Sequence, residues 1–224
     1  TQKIEDNNTQ STVLVDNIQK VLPSGRGKIR KQLFQPLSLL DIEFDLRSKV
    51  RLQRLKEARL LVPYATIPFD PYKLSLTIFV AEFLLHVTRN EQQNKPLFEY
   101  VAASLQWLDG CERSFSNFHL VFMMRLSLFV GFFPNLDKAG DGVFFDFRAG
   151  CFVRQQPLHP DFLPPADAAR LRVLMRMTFD NMHLFAMSRV ERNLCVDFIL
   201  KYYRLHFPDF PEMKSLDVMK SLFA

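Results

Sequence analysis

The alternation of apolar and polar positions changes period once along the chain. At residues 40–47 the order is Leu40-Asp41-Ile42-Glu43-Phe44-Asp45-Leu46-Arg47, strict apolar–charged alternation. That pattern predicts a strand with one face buried and one in water. Residues 12–15 form a shorter β-branched candidate, and residues 50–61 are the expected returning strand after a turn at 47–49. Pro23-Ser24-Gly25-Arg26-Gly27-Lys28 predicts a basic loop. Three prolines at residues 63–71 then mark a domain junction, and beyond it the period becomes helical. Residues 71–91 carry Leu74, Ile78, Ala81 and Leu85 on one stripe. Residues 97–108 predict a second helix, and residues 117–132 a third, capped at Ser114 or Ser116 and ended by Gly131 and Pro134. Residues 135–165 interrupt the helices, with 144–147 and 151–153 expected as a hairpin around Ala149-Gly150. Helix resumes at 166–177. Ser188 followed by Glu191 has the spacing of a capping box, and opens a helix running through Val196, Ile199, Leu200 and Tyr203 towards His206. A short amphipathic helix at 214–223 closes the chain. The fold class expected is α+β: a small β domain at 1–66, then a helical domain at 67–224 with a short β-hairpin insertion.

Composition sharpens this picture in two places. The 224 residues include 23 Phe but only 7 Gly, which points to helices packed by large side chains and away from a Gly-rich nucleotide-binding α/β fold. The formal charge is +5, but it is unevenly spread. Residues 20–59 hold eleven basic residues against four acids, so that segment alone carries +7. A flexible loop bearing Arg26, Lys28, Arg30 and Lys31 suits the phosphates of a nucleic acid, and Arg51, Arg54 and Arg59 extend the track onto neighbouring strand positions. Base stacking needs exposed aromatics. Phe44 belongs to the apolar face of its strand and is expected in the core, whereas the pattern leaves Phe34 open. The three cysteines (Cys111, Cys151 and Cys195) are isolated, which predicts a reduced, intracellular protein without a disulfide frame. The polar start predicts no signal peptide, and the longest apolar runs are short or interrupted by Glu82 and Arg125, so no membrane span is expected.

Catalytic patterns are missing from the residues. No phosphate-cradling glycine loop, GxSxG or HExxH occurs, and the five histidines are scattered. His86 and His119 lie in apolar helices and read as structural histidines. Cys111 with Glu112 and His119 is a poor match for a nucleophile and base. Asp41, Glu43 and Asp45 share one strand face, where carboxylates can bind magnesium and a metal-dependent nuclease is conceivable; a solvated strand face is the simpler reading.

Several stretches, in order, resemble the RecO family of DNA repair proteins. They are Phe34-Gln35-Pro36-Leu37-Ser38-Leu39-Leu40, Leu52-Gln53-Arg54-Leu55-Lys56-Glu57-Ala58, Ile67-Pro68-Phe69-Asp70 and Ala81-Glu82-Phe83-Leu84. Asn117-Phe118-His119-Leu120 follows, then Gly131-Phe132-Phe133-Pro134-Asn135-Leu136, Met182-His183-Leu184-Phe185, Ser188-Arg189-Val190-Glu191-Arg192 and Leu216-Asp217-Val218-Met219. The resemblance covers the chain from about residue 28 and is most similar to the Bacteroides-group members. It implies an N-terminal oligonucleotide-binding (OB) barrel before a helical domain. It also implies binding to single- and double-stranded DNA, annealing of complementary strands, and action with RecR and the acidic C-terminal tail of single-strand-binding protein in loading RecA on gapped DNA. Such a protein is not an enzyme, needs no cofactor, and is cytoplasmic and associated with the bacterial nucleoid. For the acidic tail, Arg125 in the apolar helix is a candidate anchor; the alternative is that Arg125 is used internally.

The chain departs from the resemblance twice. The region before Phe34 is short by roughly 15–20 residues, about two strands' worth, so the barrel is expected to be shortened. This leaves open a protein-interaction scaffold whose DNA-binding domain is vestigial. Many family members also carry two CxxC pairs forming a zinc site after the Gly-Phe-Phe-Pro helix. Residues 136–165 hold only Cys151, so no structural zinc is expected. The aromatics Phe144, Phe145, Phe147 and Phe152 are expected to pack that element instead.

Overall fold

The alternating run forms β3 (Leu39–Asp45) in an antiparallel sheet. The coordinates are a computed structural model that describes residues 3–5, 8–14, 31–45, 54–89, 94–137, 140, 142–207 and 209–222. The chain divides into two compact units, Thr1–Gly110 and Cys111–Ala224.

In the first unit, β1 (Lys3–Glu5), β2 (Asn8–Leu14), β3 and β4 (Arg54–Val62) pair in the order β1-β2-β3-β4. Among the described residues this sheet is open and closes no barrel. Leu40 is fully buried on one face and packs with Phe34, Leu33, Ile42, Leu55 and Ala58. Phe34, left open by the sequence pattern, is therefore core. Phe44 follows Leu40 and Ile42 on the same face but is only partly buried. The β3–β4 register shifts between Leu39 and Leu40 and again between Glu43 and Phe44, leaving Leu61 and Lys56 as extra residues of bulges.

Past the prolines, α1 (Pro71–Val87) begins where the side chain of Asp70 accepts from the amides of Tyr72 and Lys73, with Pro71 in the first turn. It stops at Thr88, short of the expected residue 91. The second helix, α2 (Lys95–Gly110), is longer at both ends than its apolar stripe.

The second unit is built on α3 (Phe118–Phe129), whose Phe118, Leu120, Phe122, Met123 and Leu126 are all fully buried. Around it stand α4 (Pro165–Arg176), α5 (Arg189–His206) and the short α6 (Leu216–Ser221). The capping box at Ser188 is present with both of its bonds. The expected cap of α3 at Ser114 or Ser116 is not found. Asn117 occupies that position, and its amide Nδ2 instead donates to Phe185 O at 2.9 Å and Met182 O at 3.3 Å. The helix also ends at Phe129, not at residue 132.

The hairpin insertion is real: β5 (Phe144–Asp146) pairs with β6 (Cys151–Val153). The sequence pattern missed a third strand, β7 (Phe162–Leu163), on the other side of β5. Phe145, Phe147 and Phe152 are buried, with edge-on contacts at 5.6 and 5.0 Å between ring centres. Tyr202 of α5 joins them, 5.9 Å from Phe145, and its hydroxyl donates to Phe132 O at 2.7 Å. Outside this cluster, Arg148 and Lys201 both pair with Asp161, at 2.7 and 3.3 Å. Among the described residues no group of three or more His, Cys, Asp and Glu is placed to hold a metal ion. Cys151 stands in β6 without a second cysteine, so the residues present do not fit the zinc site implied by the resemblance.

The hairpin turn depends on one glycine. Gly150 has φ +62°, and a Cβ there would lie 2.7 Å from the Tyr202 hydroxyl. Gly150→Ala is expected to cost about 1–3 kcal/mol of stability, from strain plus the clash. Urea unfolding measures it, and the penalty should shrink in a Tyr202→Phe background, which removes the clashing oxygen.

Candidate nucleic-acid interface

The two faces of the first sheet have opposite characters, because side chains alternate along each strand. One face packs on Phe34. The other carries Asp41 and Glu43 from β3 opposite Arg59 and Glu57 of β4. The Arg59 guanidinium donates to Asp41 Oδ2 through Nε at 3.0 Å and Nη2 at 2.6 Å. This pairing raises the Arg59 pKa further, so its charge is permanent. Arg59 stays 69% exposed while Asp41 is 12% exposed. Glu43 lies directly across from Glu57, a like-charge pair that repels. The side chains described at these positions are thus three carboxylates around one arginine, with exposed Lys56 at the bulge beside them.

Of the proposed contact residues, Arg26, Lys28, Arg30 and Arg51 lie outside the described residues. Lys31 opens a short 3-10 turn at Lys31–Leu33, and Arg54 opens β4. The register fixes where each connection joins. Leu14 pairs with Leu39, so the link carrying Arg26, Lys28 and Arg30 joins at that end of the sheet. Asp45 pairs with Arg54, so the link carrying Arg51 joins at the opposite end. Seven residues of strand separate the two ends by about 20 Å.

A second surface lies in the second unit. Arg125 of α3 is partly buried, and its Nε donates to Met177 O at 3.2 Å, the carbonyl that ends α4. This satisfies a helix-terminal acceptor with a cation, as the helix dipole favours. Leu128, one turn further along α3, is 48% exposed, and Val173, one turn before Met177, is 38% exposed. Arg176 is exposed beside them. Arg125 is thus used internally while standing next to exposed apolar groups.

A feature the sequence reading missed lies at the other end of α3. Ser114, Ser116 and Asn117, with Met182, His183 and 185–188 of a strap at 182–188, line an open pocket of about 390 Å³. Asn117 holds the strap through its two carbonyl bonds, and its Oδ1 is buried without a partner among the described residues. The sequence marked Asn117 only as a helix start; nothing local signals that it reaches residues 65 and 68 positions away.

The reactive groups weighed in the sequence are built into the structure. His119 is buried, and burial with nearby Arg192 lowers its pKa to about 3. His86 sits 3.9 Å from Glu82, and its pKa is lowered by burial. Burial pushes the Cys195 thiol up to about 12, so it is inert. Cys111 is partly exposed and its thiol contacts Arg113 O.

The comparisons with known proteins place this architecture. Residues 68–216 match the family described as Recombination protein O C terminal, which makes the helical part that of a recombination protein. The chain is 52% identical over 201 residues to the DNA repair protein RecO of Phocaeicola vulgatus, covering 90% of this chain and 83% of that protein. It is 49% identical to the RecO of Bacteroides fragilis, over 89% of this chain and 83% of the relative. Identity to the RecO of Flavobacterium psychrophilum is 30% over 192 residues, 85% of this chain and 79% of that protein. The chain belongs to the RecO family of DNA repair proteins.

The buried His119 makes a pH prediction. Its pKa in the folded chain, about 3, lies below the usual imidazole value of about 6.5. Between those values only the unfolded chain binds the proton, so stability falls as pH drops through that window, by at most about 1.4 kcal/mol per pH unit. Unfolding by urea at pH 7 and pH 4 should show a smaller gap in His119→Leu than in the wild type.

Proposed function

We propose that this chain is a recombination mediator that binds single-stranded DNA and anneals it to its complement without an active site. The observation that carries this reading is the +7 segment at residues 20–59, combined with membership of the RecO family. On this reading residues 1–66 form a shortened OB-type barrel and residues 67–224 the helical domain. Arg26, Lys28, Arg30, Lys31, Arg51, Arg54 and Arg59 contact the phosphates of the DNA strands. Neutralising two strands at once lowers the repulsion between them, and complementary bases can meet. No nucleotide or metal takes part in such a step.

The same reading makes RecR and the C-terminal tail of single-strand-binding protein the partners, with RecA loading at gaps as the outcome. An acidic peptide ending in an aromatic side chain matches the apolar and basic surface at Arg125, Leu128, Val173 and Arg176. The site of action is the bacterial cytoplasm, at the nucleoid. No helix among the described residues is long and apolar enough to cross a membrane.

A second reading has a specific observation in its favour. The described solvent face of the sheet is more acidic than basic, which suits a protein-interaction scaffold whose DNA-binding domain is vestigial. The two readings separate in one experiment: binding of a fluorescent single-stranded oligonucleotide across a salt series, followed by addition of the complement without ATP. Tight, steeply salt-dependent binding with faster annealing supports the mediator. No binding at low salt leaves the scaffold.

Charge reversal of Arg26, Lys28, Arg30 and Lys31 is expected to weaken DNA binding equally for all sequences. Each lost phosphate contact should flatten the slope of log affinity against log salt by about 0.7. Normal annealing by that variant removes the loop from the site. Arg125→Ala should weaken binding of an acidic tail peptide several-fold in fluorescence anisotropy, whereas equal affinities remove Arg125 from the partner surface.

A further inference from the structure

The connector between β4 and α1 is organised around a carboxylate that belongs to another helix. Three successive backbone amides converge on Asp109, in the last turn of α2. Ala65 N donates to Oδ2, and Thr66 N and Ile67 N both donate to Oδ1, each at 2.8 Å. A second chain of bonds closes the arrangement. Lys73 Nζ donates to Thr66 Oγ1 at 2.6 Å and to the Asp109 main-chain carbonyl at 3.0 Å. Thr66 Oγ1 in turn donates a hydrogen bond to that same carbonyl. Lys73 is 2% exposed, so burial holds its ammonium on the Thr66 hydroxyl and the Asp109 main-chain carbonyl.

An acid in the last helical turn is disfavoured, because the helix dipole places negative charge there. The α2 terminus has no basic residue in its last turn to offset it. What makes Asp109 stable there is the ring of amides. Burial acts to raise its pKa, but the bonds from Ile67, Ala65 and Thr66 outweigh it and hold the carboxyl below its usual value. Successive amides pointing at one anion form a concave nest of the kind used for free anions. Here the nest opens outward, since Ala65 and Thr66 are exposed while Ile67 is buried.

We propose that the amides of residues 65–67 form a carboxylate-binding site whose resident ligand is Asp109, and that this occupancy latches the end of the strand sheet to the α1–α2 pair. The latch is fastened on its other side by the Tyr64 hydroxyl, which donates to Leu37 O at 2.9 Å just before β3. The site needs the anion but not the covalent link to α2. A free carboxylate of small size therefore fits once the side chain is removed.

The test is chemical rescue of Asp109→Ala in the full chain, using sodium formate and sodium acetate as probes and sodium chloride at equal ionic strength as control. Hydrogen exchange read at amides 65–67 reports occupancy directly, and thermal unfolding reports the latch. Asp109→Ala should expose those amides at least tenfold faster and lower the melting temperature. Formate should restore protection saturably, acetate less well, and chloride not at all. In Asp109→Asn the amide group fills the nest without its charge, so that variant should lose protection and be deaf to formate. Should Asp109→Ala fold only when formate is present, the conclusion is the same. Unchanged protection in Asp109→Ala, or recovery that chloride matches, or no recovery with any carboxylate, overturns the site. None of these readouts involves DNA, so the latch stands or falls independently of the mediator reading.

Discussion

The second unit depends on keeping most of α3 out of water: nine of its twelve residues are buried, and Leu128 is exposed. A helix buried on most of its sides needs neighbours fitted to it, and here α5 does much of that fitting. Tyr203 places its ring against the core and its hydroxyl on Met123 O at 2.8 Å, inside α3. Tyr202, the next residue, reaches Phe132 O beyond the helix end. The Phe132 ring is then held edge-on by Tyr203 at 4.8 Å and lies flat on His206 at 4.9 Å. These contacts fix where the chain leaves α3, and so where the three-stranded insertion begins. Arg125 does the matching job on the α4 side by covering a terminal carbonyl. Buried polar groups thus set the order of the helices, while apolar burial supplies most of the stabilisation.

Charge is divided in the first unit by the same logic of what must be paired. The sheet's solvent face carries its carboxylates close together, with Arg59 drawn onto Asp41. Of the eleven basic residues at 20–59, three, Arg54, Lys56 and Arg59, lie in β4.

Much of this fold was legible in the sequence. The alternation at Leu40–Asp45 gave a strand because one face is buried and the other wet. The Ser188–Glu191 spacing gave the α5 start because a capping box is local chemistry. What failed was non-local. The α3 boundaries were misjudged because a helix buried on most of its sides has no clear apolar stripe to end, and because Asn117 spends its side chain on the strap at residues 182–185. The strand β7 is two residues long, too short for any period. Phe34 was undecided because its neighbours in sequence do not reveal that Leu40 and Leu55 cover it. In the first sheet, the sequence shows the basic residues but not that Arg59 is held by Asp41, nor that the links before β3 and before β4 join at opposite ends of the sheet. Both facts come from strand register, which pairs residues distant in sequence. The Asp109 nest was invisible for the same reason, since its amides and its carboxylate are 42–44 residues apart.

The meeting of Gly150 and Tyr202 also constrains how the family can diverge. The glycine leaves the room that the phenol oxygen fills, and the phenol in turn seals the end of α3. Neither position can drift alone: a side chain at 150 first requires a shorter ring at 202, and a shorter ring leaves the Phe132 carbonyl needing another donor. Lineages should therefore change the two positions together or keep both, so that paired substitution at 150 and 202 becomes a historical marker of how the insertion is anchored.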